Sequence, residues 1–138
     1  MHQQIFITLP AKDLARTKAF WQALGYGLDP KFSGDNAVSV ILGEHIRLML
    51  ANEETFMHFS HKAVCDTSQA LEVLHALSFD SREHVDALIA KARAAGAVVP
   101  DEAEDHGFMY AQGFYDPDGH GWNCCAWSTP AEIGRAHV

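Results

Sequence analysis

The stretch Ile5-Phe6-Ile7-Thr8-Leu9-Pro10-Ala11-Lys12-Asp13-Leu14 decides how the rest of the chain is read. Ile5, Ile7 and Leu9 alternate with Phe6 and Thr8, the period-two pattern of a strand with one covered face, and Pro10 is expected to end it. Asp13 is a candidate N-cap for a helix in which Leu14, Thr17, Phe20, Trp21 and Leu24 recur at helical spacing. Gly25 stands where such a helix stops. Beyond it, residues 36–42 and 45–50 are rich in Val, Ile and Leu, with Gly43-Glu44 between them as a hairpin turn. Residues 28–32 are a candidate third strand.

The second half follows the same order. Residues 72–79 read as a strand, Ser81 caps a helix with Val85, Leu88, Ile89 and Ala92 on one stripe, and Gly96 stops it. Residues 97–99, 108–115 and 121–127 then read as strands, the last two joined by Asp116-Pro117-Asp118-Gly119, with Pro and Gly where a tight turn wants them. The two helix-stopping glycines lie about half a chain length apart, so the halves read as two copies of one βαβββ unit. The expected class is α+β, two βαβββ modules forming a curved mixed sheet around a cavity. The expected organisation is a single domain to residue 130, with module one at 4–51, a polar linker at 52–70 and module two at 71–128. A tail at 131–138 carries no function. One unit has a helix on one face of its sheet and must cover or use the other. Two units whose helix-free faces enclose a cavity would do so; a ferredoxin-like sandwich with fewer strands and no cavity is the competing arrangement.

Composition narrows the function classes. The chain has 138 residues, 48% hydrophobic and 20% charged, which is ordinary for a globular domain. A net charge of −8 leaves no basic field for a nucleic acid. No apolar run approaches the roughly 18 residues of a membrane helix, and the start lacks the pattern of a secretory signal, so a cytoplasmic protein is expected. Cys65, Cys124 and Cys125 are odd in number and form no CxxC, and are expected to be reduced, buried thiols.

The runs Leu9-Pro10-Ala11-Lys12-Asp13-Leu14, Ala19-Phe20-Trp21, Leu24-Gly25-Tyr26 and Phe114-Tyr115-Asp116-Pro117-Asp118-Gly119-His120 carry a likeness over about residues 4–127. Together they resemble the vicinal oxygen chelate superfamily, which includes glyoxalase I, bleomycin-resistance proteins and extradiol dioxygenases. The resemblance implies paired βαβββ modules, a homodimer and, in the enzymes, a divalent metal held by His, Gln or Glu on cavity-facing strands. At those positions this sequence has Phe6, Met49, Leu74 and Asn123. Only Asn123 offers an oxygen, and a neutral one, whereas divalent metals want several imidazole or carboxylate ligands. No resident cofactor is therefore expected.

Alternation assigns the faces. Ile5, Ile7, Leu9, Ile46, Leu48 and Leu50 go under the helix, leaving Phe6, Thr8, Arg47 and Met49 on the open face. In the second module Val73, His75, Leu77 and Phe79 go under the helix, and Glu72, Leu74, Asn123, Cys125 and Trp127 stay open. Arg47 is a candidate fork for a carboxylate or phosphate, and Glu72 a candidate acid or base. For both, a solvated rim position is the favoured reading, because strand ends are usually wet. Phe6, Trp127 and Tyr110 are candidates for stacking a planar ligand, though such aromatics are more often plain core. His106 is a candidate loop acid or base, and His58 with His61 has the spacing of two ligands without a third. The leading expectation is binding of a small apolar or aromatic molecule, anionic if Arg47 engages it, without the family metal. The alternatives are a metal-dependent lyase or dioxygenase with ligands relocated to His58, His61 or His106, a metal-free isomerase using Glu72, and a dimerisation module with no ligand.

Overall fold

The structure, a computed structural model, describes residues 1–127; the last residue of the expected second module and the tail at 131–138 lie outside the described residues. The chain divides into two compact units, the first Met1–Ala70 and the second beginning at Leu71.

In the first unit the alternating stretch forms β1 (Ile5–Ala11), followed by α1 (Leu14–Ala23), β2 (Ala37–Gly43), β3 (Ile46–Asn52) and α2 (Glu53–Ser60). The sheet order is β1-β3-β2, with β1 parallel and β2 antiparallel to β3. Ile7 pairs with Leu48 and Leu9 with Leu50, and Val40 and Val38 continue these rows. Leu48, Leu50, Val38 and Val40 are buried, as are Thr17, Phe20, Trp21 and Leu24 of the α1 stripe. Each large side chain buried in this way contributes roughly 1.5–3 kcal/mol. Asp13 caps α1 through a bond from the Arg16 amide at 3.2 Å, and Gly25 takes a left-handed φ of 99° after it.

Three local expectations change. β1 runs through Pro10 to Ala11, because it is an edge strand and a missing N–H there costs no ladder bond. Residues 28–32 are not a strand. Leu28 makes one bridge to Val40, and Pro30–Phe32 form a 3-10 turn capped by Asp29, whose carboxylate accepts from the Lys31 amide at 3.0 Å. Residues 53–60, expected within a linker, form α2 and pack on β1 and β3. Asn52 caps this helix through the Thr55 amide at 2.9 Å, Glu53 and Glu54 complement its dipole, and His61 ends it in the left-handed region at φ 58°.

The second unit has β4 (Leu74–Phe79), α3 (Arg82–Ala94), β5 (Glu104–Asp105), β6 (Met109–Tyr115) and β7 (Gly121–Trp127), in sheet order β4-β7-β6-β5. β4 is parallel to β7, mirroring the β1-β3 pair. Val85, Leu88, Ile89 and Ala92 are buried, the same i, i+3, i+4, i+7 spacing as in α1. Residues 97–99 contribute only a bridge from Val98 to Tyr115. The architecture is α+β with mixed sheets. The βαβββ order is complete in the second unit and reduced to βαββ plus the Leu28 bridge in the first.

The turn between β6 and β7 is organised by one carboxylate. Asp116 is 4% exposed. Its Oδ1 accepts from the amides of Asp118 (2.9 Å) and His120 (3.0 Å), and its Oδ2 accepts from Trp122 Nε1 (2.9 Å). Burial raises its pKa, opposed first by the charge of His120 and then by the Trp122 and His120 bonds. Replacing Asp116 with Ala strands three buried donors and is expected to lower stability by about 3 kcal/mol in urea unfolding, more than Asp116→Asn, which keeps one acceptor.

His75, on the α3 side of β4, stacks on Trp122 with ring centroids 4.7 Å apart, and its buried Nδ1 has no hydrogen-bond partner. Burial lowers its pKa, nearby His120 pushes the same way, and a bond with the Gly121 backbone opposes both. α3 turns Val85, Leu88, Ile89 and Ala92 to the sheet, none of which titrates. Because the folded state disfavours the imidazolium, the contribution is complete above the ordinary value of 6.5 and is lost as pH falls below it toward the lower folded value. Asp116, with its raised pKa, acts with the opposite sign. Urea unfolding between pH 7.5 and 5.5 is therefore expected to show falling stability, and His75→Gln to flatten that slope.

Candidate functional site

Strand parity places the expected open-face residues. In the first unit Phe6 lies beside Arg47 and Thr8 beside Met49 on neighbouring strands. Phe6 is 47% exposed while Leu48 and Leu50, on the opposite face, are fully buried. Phe6 meets Phe32 edge-on at 5.9 Å. Arg47 is not available as an anion fork. Its Nε donates to Asp29 at 3.4 Å and its Nη1 to the Gly43 carbonyl at 2.6 Å, so the guanidinium closes the β2-β3 hairpin. The partner is Asp29 within the same unit.

The second unit holds the better-formed concavity. It has a volume of ≈ 240 Å³ and is lined by Leu74, by Met109, Ala111 and Gly113 of β6, by Gly121 and Asn123 of β7, and by Pro100, Asp101, Glu102 and Glu104. Leu74 and Asn123, two of the predicted positions, thus share one hollow. Two strand glycines permit close approach of their neighbours at its edge. A Cβ on Gly121 would sit 2.6 Å from Leu74 Cδ2 and 3.0 Å from Leu71 Cδ1, and one on Gly113 would sit 3.2 Å from the Trp122 carbonyl and 3.9 Å from Asn123 Oδ1. Pockets for drug-sized ligands run about 300–1,000 Å³, so this one suits a smaller molecule.

Other predicted residues fall elsewhere. Tyr110 pairs with Ala126, not with Asn123, Cys125 or Trp127, and so lies on the α3 face, where its hydroxyl donates to Asp86 and Arg82 lies 5.3 Å over its ring. The bond with Asp86 also raises the phenol pKa. Glu72 precedes β4, is exposed and does not line the hollow. Cys125 shares the Asn123 face but is buried, its sulfur accepting from Trp127 Nε1 at 3.2 Å; Trp127 itself is exposed, with Phe108 at 6.1 Å. Cys124 faces the other way, and burial, with a smaller push from Cys125, raises its thiol pKa to about 12. Cys65, expected to be buried, is exposed.

The short β5-β6 hairpin supplies what residue patterns missed. Glu104 lines the hollow and pairs with His106 Nε2 at 3.1 Å, while Asp105, one residue on, points to the other side. There Arg82 forks onto Asp105, with Nη2 to Oδ1 at 3.0 Å, and the Gly107 amide also bonds Asp105 at 2.9 Å. The Gly107 amide first, and Arg82 second, hold the Asp105 carboxyl below its usual range. Gln112 donates to the Asp101 carbonyl at 3.0 Å, fixing the start of the same segment. Gly113 and Gly121 inside strands were the legible signal, since isolated strand glycines mark a close approach or a hollow. Arg82→Met is expected to speed hydrogen exchange at the His106 and Gly107 amides with little change in α3 or β7. The pair is exposed, so solvent screens it and its loss is read locally rather than in global stability.

Among the described residues, no three His, Cys, Asp or Glu side chains converge as a metal site requires, and no helix is long and apolar enough to cross a membrane. The family model for the Glyoxalase/Bleomycin resistance protein/Dioxygenase superfamily matches residues 3–124. Similar solved structures include a hypothetical protein from S. aureus (25% identity, TM-score 0.78, covering 91% of this chain and 94% of that one). A glyoxalase/bleomycin resistance protein/dioxygenase family enzyme from Burkholderia phytofirmans PsJN has 16% identity and TM-score 0.76, with 89% and 97% covered. A genomically encoded fosfomycin resistance protein from Listeria monocytogenes has 22% identity and TM-score 0.67, with 98% of each chain covered. No curated protein matches.

Proposed function

This chain belongs to the glyoxalase/bleomycin resistance protein/dioxygenase superfamily, and from that premise we propose that it binds a small organic molecule in the hollow over Leu74 and Asn123 without a metal ion at the family's ligand positions. The observation that carries this is a preformed concavity in the second unit at which two of those positions are Leu74 and Asn123. Phe6 and Leu74 are hydrocarbon, Met49 offers only a weak thioether, and Asn123 is a single neutral oxygen. Replacing a metal's hydration shell takes several basic or anionic donors. The chemistry available to the residues present is recognition: Leu74, Met109 and Ala111 supply apolar contact, and Asn123 supplies one donor and one acceptor for orientation.

The remaining parts of the reading follow from exposed surface and thiol state. Phe6 and Trp127 stand on sheet faces with 47% and 55% of their surfaces exposed, which favours a homodimer that covers them. The free Cys124 and Cys125 suit a reducing compartment such as the cytoplasm. A second reading is favoured by one pair. Glu104 at the hollow, hydrogen-bonded to His106, has the geometry of a carboxylate-imidazole couple, so a metal-free proton transfer would use Glu104 in the role first considered for Glu72.

Metal analysis of the purified chain is expected to find no stoichiometric divalent ion, and added Ni, Zn, Mn or Fe is expected to leave the melting temperature unchanged. A ligand that binds only the folded state must raise it. One tightly held ion per chain would overturn the metal-free reading.

A further inference from the structure

We propose that the hollow takes a small molecule through a carboxamide or lactam group, which pairs with the free edge of β6 at Gly113. The inference deepens the ligand-binding reading above and rests on it. Along an antiparallel strand, residues alternate between turning their N–H and C=O toward one neighbour and toward the other. The Asp116 amide donates to the His120 carbonyl, so Phe114 and Gln112 also turn these groups to β7. Tyr115, Gly113, Ala111 and Met109 turn theirs to the outer edge. The Tyr115 amide donates to the Val98 carbonyl at 2.8 Å, and the Val98 amide returns a bond at 2.9 Å. Ala111 lies opposite Glu104 of β5, and the Met109 carbonyl accepts from the His106 amide at 2.8 Å. The backbone of Gly113 has no partner on this edge among the described residues.

The cause is register. Glu104 is six residues beyond Val98, whereas Ala111 is only four before Tyr115, so the outer chain carries two residues too many and bows away from β6. Counted from Val98, the residue opposite Gly113 is Pro100, which has no N–H to give; counted from Glu104, it is Glu102. Gln112 Nε2 donates to the Asp101 carbonyl at 3.0 Å, which commits that acceptor and fixes the bow. Pro100, Asp101, Glu102 and Glu104 line one side of the hollow and Gly113 the other, so its unpaired N–H and C=O open into it. Asn123 stands beside them, since a Cβ on Gly113 would lie 3.9 Å from its Oδ1. A backbone donor and acceptor side by side are best satisfied by one group that answers both. A carboxamide or lactam carries an acceptor beside a donor in one plane. A ketone leaves the Gly113 carbonyl unanswered, and a carboxylate brings acceptors only. The gap is closed at both ends by the paired residues Ala111 and Tyr115, so it admits one planar group and not a strand. Leu74 and Met109 remain for the ligand's hydrocarbon.

The test titrates the isotope-labelled full chain with benzamide, acetophenone and benzoate, which are close in shape and offer respectively a donor with an acceptor, an acceptor alone, and anionic acceptors. Amide shifts at Leu74, Ala111 and Asn123 report occupancy. The Gly113 amide proton reports the bond it donates, and the Gly113 carbonyl carbon the bond it accepts. Benzamide is expected to bind roughly tenfold more tightly than either of the others. It is also expected to move both Gly113 signals downfield and to slow hydrogen exchange at that amide, whereas acetophenone moves the amide proton alone. If acetophenone or benzoate shifts the occupancy reporters and binds as tightly as benzamide, the amide preference fails while the hollow stands as a ligand site. Tighter binding of benzamide with the Gly113 carbonyl unmoved overturns the pairing with β6. If none of the three shifts any of these signals, both readings fall.

Discussion

A strand turns successive side chains to opposite sides of its sheet, and the second sheet of this chain has its helix on one side only. That constraint governs the rest. On β4, Leu74 is 71% exposed while its neighbour His75 is half-buried against Trp122. α3 supplies Val85, Leu88, Ile89 and Ala92 to the covered face, which completes the core there, while the other face is buried at Ala111 and Cys125 but open at Leu74 and Trp127. Side chains on that face can be small, absent or charged at little cost in stability. Two glycines and three carboxylates around the hollow are tolerable for this reason.

The covered face and the open face are linked through register. The turn that closes β6 on β7 is held by Asp116, and its bond from Trp122 Nε1 ties it to the first buried aromatic of β7. Pairing then proceeds outward, Phe114 with Trp122 and Gly113 with Asn123. A one-residue slip would carry Asn123 under α3 and bring Trp122 to the open side. The structural carboxylate therefore decides which side chains face the hollow, although it does not line it. In the first unit Arg47 closes the β2-β3 hairpin through the Gly43 carbonyl and bonds Asp29.

The sequence carried the alternation well. Phe6, Thr8, Arg47 and Met49 share a face, as the alternation of Ile5, Ile7 and Leu9 with Phe6 and Thr8 requires, and Leu74, Asn123, Cys125 and Trp127 share another. Tyr110 escaped because Phe108, Met109 and Tyr110 are all apolar and show no alternation. Counting back from the closing pair of Asp116 and His120 assigns Tyr110 to Ala126, and so to the α3 side. α2 was hidden for a different reason. Its polar, acidic first turn reads as loop by hydropathy, and its formation depends on the Asn52 cap and on packing against β1 and β3. The partner of Arg47 was out of reach because Asp29 comes from the bridge and 3-10 turn that replaced an expected strand.

The placement of charge separates two readings that residue types alone leave level. Arg47 as an exposed cation on an apolar face would argue for an anionic ligand, and its types of partner are the same in either case. Bound to Asp29 and to its own hairpin, it argues for structure. Its side chain is only 16% exposed and that of Asp29 14%, so a ligand anion would have to displace a pair already largely withdrawn from water. Breaking such a pair leaves Asp29 uncompensated, a cost that the incoming anion shares in sign and therefore cannot offset. The second unit presents the opposite case. Asp101, Glu102 and Glu104 are exposed beside the hollow, and the Arg82 guanidinium is committed to Asp105 on the far side of the strand. Alternation along this short strand puts Glu104 on the open side and the Arg82–Asp105 pair on the covered one.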